Sequence, residues 1–182
     1  MLLRPGALEP LTAAHEAAVL AFETANRAWF AATIPDRGDA FFAGYPARHA
    51  MLLALQEAGT DRFHVLTDDA GAILGRVNLT SIAAGDAELG YRIGRAHTCC
   101  GLATAAVAAV CELARTAYGL SHLHATVSPG NAASRAVLHR NAFSCTAETT
   151  VDGAAALLYT RELSAWSTPG SMIGGASEAG VG

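Results

Sequence analysis

Two short stretches of the chain hold residue types that can bind an anion and cap a helix. The first consists mostly of small residues around Gly101, between a strand-like segment and a long Ala-rich helical segment. A helix N-terminus leaves backbone N–H groups unpaired and carries a positive partial charge, so it can hold a phosphate or pyrophosphate without a basic side chain. The residues assigned to this anion site are His97, Thr98, Cys99, Cys100, Gly101, Leu102, Ala103 and Thr104.

The second stretch begins at Asn131 and opens another helix. Asn131 has the side chain of an N-cap residue, and Ser134 lies one turn later on the same helix face. Taken alone, this serine could equally be a solvated surface residue. A metal is a further alternative, because His97 lies beside Cys99 and Cys100. No fourth ligand is evident at a spacing typical of zinc, so the sequence predicts no metal site.

The elements around these stretches change between a strand period and a helix period. The predicted strands are 2–4, 62–67, 72–82, 87–94, 120–127, 143–150 and 154–163, and the predicted helices are 12–32, 47–58, 101–118 and 131–140. The strand–helix–strand step from 87 to 127 requires a crossover and therefore a parallel strand pair. The order predicts an α/β (α+β) fold, with a mixed, mostly antiparallel central sheet of about seven strands and helices on both faces.

Length and composition fit one domain, which we place at residues 1–163, followed by a Gly- and Ser-rich segment at 164–182 that we expect to be a mobile tail. Hydrophobic residues are 52% and charged residues 15%, which excludes disorder of the bulk of the chain. The net charge of −4 argues against a nucleic-acid surface, and no apolar window is long enough to span a membrane. Four cysteines without a secretion signal indicate free thiols in a reducing cytoplasm.

Together the two stretches resemble the motifs of the GNAT superfamily of N-acetyltransferases, and most closely the branch that acetylates the N-terminal alanine of ribosomal proteins. The later family motif, Asn-x-x-Ser-x-x-x-Leu-x-x-x-x-Phe, is matched at Asn131, Ser134, Leu138 and Phe143. The family's phosphate loop, Arg/Gln-x-x-Gly-x-Gly/Ala, is matched at Gly101 and continues with Leu102-Ala103-Thr104. The strand Glu88-Leu89-Gly90-Tyr91 is also typical of the branch. The resemblance extends over residues 1–163.

The resemblance implies that acetyl-CoA is the donor and that a primary amine is the acceptor. It implies that the strand at 87–94 splays away from the next strand, so that the pantetheine arm pairs with the backbone at Tyr91, Arg92 and Ile93. It also implies that Ser134 acts on the leaving thiolate, because Leu138 replaces the tyrosine that many members use. Asn131 and Arg140 join the anion-site residues as cofactor-binding candidates.

The acceptor amine must be neutral to attack, so a base near the reacting strand is expected. Glu88 is our candidate, Glu148 is the alternative, and Tyr159 is a reserve acid. An α-amine with a pKa of about 7.7–8.0 needs less help than a lysine near 10.4. With the net charge of −4, we expect a neutral-to-basic amine as acceptor, either a peptide N-terminus or a small molecule. The sequence leaves open whether the chain forms a homodimer.

The chain departs from the family pattern at several positions. Ala96 and Ala105 stand where Arg or Gln and Glu are usual, Cys99 replaces the first loop glycine, and Asn141-Ala142 replaces the usual Leu-Gly. A left-handed backbone at Cys99 would be strained, because cysteine carries a Cβ. These departures leave a non-catalytic CoA-binding module open as the alternative to an enzyme.

Overall fold

A seven-stranded sheet runs through the protein. The computed structural model describes residues 7–32 and 34–163. The strands are β1 (Ala7–Pro10), β2 (Arg62–Thr67), β3 (Ile73–Ala83), β4 (Asp86–Ile93), β5 (His122–Val127), β6 (Ser144–Val151) and β7 (Ala154–Glu162). The helices are α1 (Glu16–Ala25), α2 (Arg27–Ala31), α3 (Asp39–Ala43), α4 (Tyr45–Ala58), α5 (Leu102–Thr116) and α6 (Ala132–Arg140), with 3-10 turns at Ala13–His15 and Arg95–His97.

The strands lie in the order β1-β2-β3-β4-β5-β7-β6. Neighbouring strands pair antiparallel except β4 and β5, which are parallel and are joined by the crossover helix α5. This topology confirms the predicted mixed, mostly antiparallel sheet of seven strands.

Helices cover the two faces of the sheet and bury separate apolar clusters. Helices α5 and α6 pack on one face, where Val107, Leu123 and Leu138 belong to one buried cluster. Helices α1, α2 and α4 pack on the other face, where Val19 and Val65 belong to a second cluster. We call these the α5–α6 face and the α1–α4 face. Because side chains alternate along a strand, successive residues of β4 point to opposite faces.

The parallel pair β4–β5 is short. Its ladder joins Asp86–Glu88 to His122–His124. Beyond it, β4 stays paired with β3 up to Ile93, and β5 stays paired with β7 up to Val127. The two strands therefore part after Glu88 and leave facing backbone edges, the gap that the family resemblance implies.

Local differences from the predicted elements have physical causes. The single helix predicted over 12–32 is two helices, because the side chain of Asn26 bonds to the carbonyl of Phe22 and to the N–H of Arg95 at 2.9 Å each. Helix α4 begins at Tyr45, two residues before the predicted start, because Pro46 lies in its first turn, where its missing N–H costs no hydrogen bond. The strand predicted at 2–4 and the tail at 164–182 lie outside the described residues.

Candidate active site

The loop between β4 and α5 presents backbone N–H groups to solvent. Cys99 (φ 59°) and Gly101 (φ 80°) have positive φ while Cys100 between them does not. Such alternation turns successive N–H groups toward one point and forms an anion-binding concavity. The Thr98 hydroxyl donates to the Arg95 carbonyl at 2.9 Å, and the Cys100 thiol donates to the His97 carbonyl at 3.0 Å. The His97 and Thr98 N–H groups also donate within the loop, to the Gly94 and Arg95 carbonyls, so the N–H groups from Cys99 to Gly101 are the ones left for a ligand.

Cys99 has the backbone of the glycine that it replaces. Its φ of 59° lies in the left-handed region, which costs an L-residue with a Cβ about 1–2 kcal/mol. The same holds at Ala142 (φ 58°), which also stands where the motif has glycine. The predicted strain is thus present, and the loop keeps the glycine-like course despite it.

Helix α6 begins as the motif predicts. The Asn131 side-chain oxygen accepts the N–H of Ser134 at 3.0 Å, the geometry of an N-cap. The Ser134 hydroxyl lies 2.8 Å from the Tyr91 hydroxyl, and Tyr91 also donates to the Ser134 carbonyl at 3.2 Å. This contact joins β4 to the first turn of α6 at the gap between β4 and β5.

The side chain of Tyr91 contacts a candidate site residue, which the sequence did not reveal. The sequence assigned Tyr91 to the site through its backbone. In the structure its hydroxyl is the partner of Ser134, and burial raises the pKa of Tyr91 above its ordinary value of 10.0. The tyrosine is therefore protonated near neutral pH, and its hydroxyl can donate a hydrogen bond. The signal was the alternation of β4, which places Tyr91 on the face of Leu89.

Arg140 lies at the far end of α6 and is exposed. The neighbouring Asn141 is buried, and its amide donates to the Thr104 carbonyl in the first turn of α5 at 3.2 Å. This contact places the end of α6 against the start of α5. Arg140 is thus near the predicted anion site, 36 residues further along the chain than Thr104.

The candidate residues of β4 for binding acetyl-CoA have side chains on both faces of the sheet. The backbone of Tyr91, Arg92 and Ile93 borders the gap, as expected. The side chain of Ile93 is buried in the α5–α6 cluster. The Arg92 guanidinium lies on the opposite face and bonds to Glu23 at 2.9 Å. Arg92 can meet a ligand in the gap through its backbone alone.

The candidate bases lie at different ends of the gap. Glu88 is exposed on the α1–α4 face, in the last pair of the β4–β5 ladder, opposite His124. Glu148 lies on the outer strand β6, opposite Leu157, which in turn faces Val127 at the end of β5. Glu88 is thus beside the closed end of the gap, and Glu148 is three strands from β4, with β5 and β7 between them.

Tyr159, the reserve acid, is buried and does not face the gap. It is 1% exposed, it makes an edge contact with His139, and its hydroxyl accepts from Arg135 at 3.4 Å. These contacts give it a packing role beneath α6.

A cleft on the α1–α4 face was missed by the sequence reasoning. Its volume is about 240 Å³, and its lining includes Arg37, Arg48, Arg76, Asn78, Thr80 and Arg92. The buried carboxylate of Glu23 accepts from two of these arginines, from Arg76 at 2.8 Å and from Arg92 at 2.9 Å. The available signal was a glutamate beside Phe22 on the apolar face of α1, since a buried charge requires a partner.

Neither a metal cluster nor a membrane-spanning helix is present in the described ranges 7–32 and 34–163. No three His, Cys, Asp or Glu side chains there are grouped so that they could hold a metal ion. The longest helix described, α5, has 15 residues, and none reaches the length and apolarity needed to cross a bilayer. The four cysteines are free thiols.

Comparison with known proteins places this geometry in a family. The model of the acetyltransferase (GNAT) domain matches residues 7–144. Among solved structures, a ribosomal-protein-S5-alanine acetyltransferase from Vibrio fischeri is 21% identical, with a TM-score of 0.83 over 90% of this chain and 96% of that one. RimJ from Mycobacterium smegmatis, in complex with CoA-disulfide, is 27% identical, with a TM-score of 0.76 over 85% and 80%.

A third similar structure has a different kind of acceptor in its name. It is a spermidine N-acetyltransferase chimera from Vibrio cholerae and hSSAT, 12% identical, with a TM-score of 0.71 over 88% of this chain and 96% of that one. No curated protein matches the chain significantly. Since the family model covers most of the chain, from β1 to the start of β6, the protein belongs to the GNAT acetyltransferase family and is an acetyltransferase.

Proposed function

We propose that this acetyltransferase moves the acetyl group of acetyl-CoA to a primary amine, by direct attack while both substrates are bound, and that the amine is the N-terminal α-amine of a peptide or protein. The observation that carries the proposal is the arrangement at the gap. The N-terminus of α5, the free backbone edge of β4 and the Tyr91–Ser134 pair all border it.

The residues around the gap suit a CoA molecule. The concavity at Cys99–Gly101 offers N–H groups to a pyrophosphate, and exposed Arg140 offers a positive charge near it. The unpaired edge of β4 after Glu88 offers N–H and C=O groups to the amides of a pantetheine arm. A backbone N–H at 91–93 is also the simplest donor to the oxyanion of the tetrahedral intermediate.

The leaving group needs a proton donor, and the Tyr91–Ser134 pair supplies one. The amine nitrogen forms a bond to the acetyl carbon, and the carbon–sulfur bond breaks to release a thiolate. Ser134 donates its proton to the sulfur and takes one from Tyr91 through their 2.8 Å contact, and the tyrosinate that forms is reprotonated from solvent after CoA leaves. The thiolate therefore has a proton donor even though Leu138 stands where many family members have a tyrosine.

The proton of the attacking amine goes to Glu88, directly or through water. Glu88 is exposed at the closed end of the gap, so it can exchange that proton with solvent. A weak base is enough for an α-amine, since its pKa of about 7.7–8.0 leaves a large neutral fraction near pH 8. A lysine amine would require more assistance.

A small-molecule amine is the second candidate, because the fold is shared with a spermidine N-acetyltransferase chimera. The cleft disfavours a polyamine, however, since a polycation would meet the arginines that line it. A CoA-binding module without activity is the remaining alternative, and the strained Cys99 loop was the reason to consider it.

We further propose that the protein works in the cytoplasm, because its four thiols are free.

Thiol release from acetyl-CoA tests the proposal. Peptides with a free N-terminal Ala or Ser are compared with N-blocked peptides that carry an internal lysine, and with small amines. The expected result is release of CoA with the free N-termini and little with the blocked peptides. Activity confined to small amines supports the second candidate, and binding of CoA without release on any acceptor supports the inactive module.

A further inference from the structure

The cleft on the α1–α4 face has a charge opposite to that of the whole protein. Four guanidinium groups line it, those of Arg37, Arg48, Arg76 and Arg92, whereas the chain carries a net charge of −4. The nearby carboxylates are Glu23, which bonds to two of these arginines, and Asp61 at the cleft wall. Four positive groups against two negative groups leave a formal charge of +2.

The two outer arginines are held in place without a carboxylate. Arg37 stacks on the ring of Phe41 at 4.7 Å, and Arg48 lies over the same ring at 5.3 Å. Within residues 7–32 and 34–163, neither forms an ion pair with an acidic side chain. Their guanidinium groups are therefore positioned by an aromatic ring, and their N–H donors are available to a ligand.

The inner wall of the cleft contains polar atoms that lack partners. Arg76 is 6% exposed, and its Nε has no hydrogen-bond partner among the described residues; the buried Oδ1 of Asn78 has none either. An unpaired buried donor destabilises the free protein. Burial lowers the pKa of Arg92; the carboxylate of Glu23 opposes this effect, and the positive charges of Arg37 and Arg76 add to it. A bound anion would accept from the Arg76 donor and reduce the like-charge repulsion, whereas the Asn78 oxygen is an acceptor and would need an N–H group of the ligand.

The cleft adjoins the closed end of the gap. Thr80, in its lining, is directly opposite Glu88 on β4, and Asn78 is opposite Gly90. A side chain at Gly90 would meet nothing within 4 Å, so the surface between the cleft and the gap is open. Arg92 lies two residues along β4 from Gly90, about 7 Å, and four residues from Glu88, about 13 Å. A peptide covers that span in two to four residues.

We propose that this cleft binds a carboxylate or phosphate group of the acceptor, and that the preferred acceptor is a peptide with an acidic side chain within three residues of its α-amine. The inference rests on the proposed function, since it names the class of its acceptor. It revises the expectation of a neutral-to-basic acceptor, which was drawn from net charge. The amine remains the reacting group, and the oxyanion beside it selects the substrate.

Isosteric peptides test the proposal. Peptides that begin Ala-Asp, Ala-Asn and Ala-Lys, with one neutral sequence after them, are compared by kcat/KM in the thiol-release assay. We expect the Ala-Asp peptide to be preferred over Ala-Asn by at least about tenfold, and Ala-Lys to be the poorest. O-phosphoethanolamine against ethanolamine forms a second pair, which shows whether a small phosphorylated amine uses the same site. Equal kcat/KM for the Asp and Asn peptides would overturn the proposal.

Two outer arginines supply the variants, because their replacement leaves the ion pairs of Glu23 intact. Arg37→Gln and Arg48→Gln should each reduce the Asp-over-Asn preference about five- to tenfold, and raised salt should reduce it in the parent. The matched control is Arg115→Gln, which removes a half-buried arginine of α5 that pairs with Glu112 and should leave the preference unchanged. A preference unaltered in both cleft variants would refute the role of these residues.

A binding assay separates failure of this site from failure of the proposed function. N-acetylated Ala-Asp and Ala-Asn peptides cannot react, so calorimetry measures their affinity independently of catalysis. Tighter binding of the Asp peptide, lost in Arg48→Gln, together with no CoA release on any amine, would reject the proposed function and keep the anion site. Equal binding of the two peptides, with normal acetylation of both, would reject the anion site alone.

Discussion

Gly101→Asp places a carboxylate at the anion concavity without removing any group from the protein. Gly101 has a φ of 80°, and an added Cβ would meet nothing within 4 Å. An acidic residue at a helix N-terminus is favourable with the helix dipole, so the fold should persist. A pyrophosphate bound there would instead lie about 4 Å from a like charge. That repulsion is about 1 kcal/mol in water and about 4 kcal/mol at an effective dielectric of 20.

The expected loss of CoA affinity follows from these limits. About 1 to 4 kcal/mol corresponds to a roughly five- to thousandfold increase in Kd, since about 1.4 kcal/mol is tenfold. Gly101→Asn has nearly the same size and tolerates a left-handed backbone, so the difference between the two variants isolates the charge. We expect Gly101→Asn to bind CoA within about threefold of the parent. Raising the salt from 0.05 to 0.5 M, roughly, should shrink the Asp effect.

Gly59 provides a matched control for backbone strain. It also has a φ of 80° and open space at its Cβ position, but it caps the far end of α4. Gly59→Asn and Gly101→Asn should lower the midpoint of thermal unfolding by similar amounts, and Gly59→Asp should leave CoA affinity unchanged. If calorimetry gave the same Kd for Gly101→Asp and Gly101→Asn, the pyrophosphate would not bind at this helix end, and the reasoning would be refuted.

Four further predictions concern catalysis and stability. Ser134→Ala should lower kcat about ten- to a hundredfold and leave the Kd of CoA within about threefold, because the proton donor acts in the transition state; steady-state kinetics with calorimetry measure both. Glu88→Gln should lower kcat/KM most below about pH 7.5, where neutral α-amine is scarce, and a pH–rate profile measures this. Ala142→Gly should raise the free energy of unfolding by up to about 1 kcal/mol, since relief of the left-handed strain exceeds the entropy that glycine loses; denaturant unfolding measures it. The free energy of unfolding of the parent should fall by about 3 kcal/mol between pH 6.5 and 4, because burial lowers the pKa of His64 to about 4 in the folded protein, and His64→Gln should lack this decrease.

The sign of the histidine effect is fixed by where the proton is bound. Between pH 6.5 and about 4 the unfolded chain protonates this imidazole and the folded protein does not, so the parent loses stability as the pH falls through that window. His64 Nδ1 donates to the Val77 carbonyl, which leaves Nε2 to accept from the Tyr118 hydroxyl at 2.7 Å. An unchanged pH dependence in His64→Gln would show that other groups cause it.

The other three predictions have equally definite contrary outcomes. Equal kcat in Ser134→Ala and the parent would leave Ser134 a cap residue only. A uniform loss at all pH values in Glu88→Gln would exclude a role as base. Ala133→Gly, within α6, is the control for Ala142→Gly and should destabilise by about 0.5–1 kcal/mol; a loss at both positions would show that Ala142 is unstrained.

Local chemistry made much of the fold readable from the sequence. The Asn131 cap, the alternation of β4 and the need for a crossover before β5 are properties of a few neighbouring residues. Even the strain at Cys99 followed from one absent glycine. The break at Asn26 could not be read, because one of its two bonds goes to Arg95, 69 residues away.

Contacts between distant elements account for what the sequence left hidden in the site. The Tyr91–Ser134 contact spans 43 residues, and the bonds from Arg76 and Arg92 to Glu23 span 53 and 69 residues. Strand alternation showed that Arg92 shares a face with Glu88, but not that a helix glutamate meets it there. Residue type and spacing therefore predict where acetyl-CoA binds, whereas the cleft proposed for the acceptor depends on the packing of α1 against the sheet.

The Glu23 ion pairs are hard to explain by stability alone. Glu23 and Arg76 are 2% and 6% exposed, and removing two such charges from water costs several kcal/mol that their attraction offsets only in part. Replacing such buried ion pairs by apolar residues of similar volume often leaves a protein equally stable. Arg37 and Arg48 add two more positive charges at the same cleft, where they repel Arg76 and Arg92. This arrangement destabilises the free protein but is complementary to an oxyanion beside the reacting strand, so substrate binding explains it better. The position of the arginines in the cleft, rather than the net charge of the protein, therefore indicates which acceptor is bound.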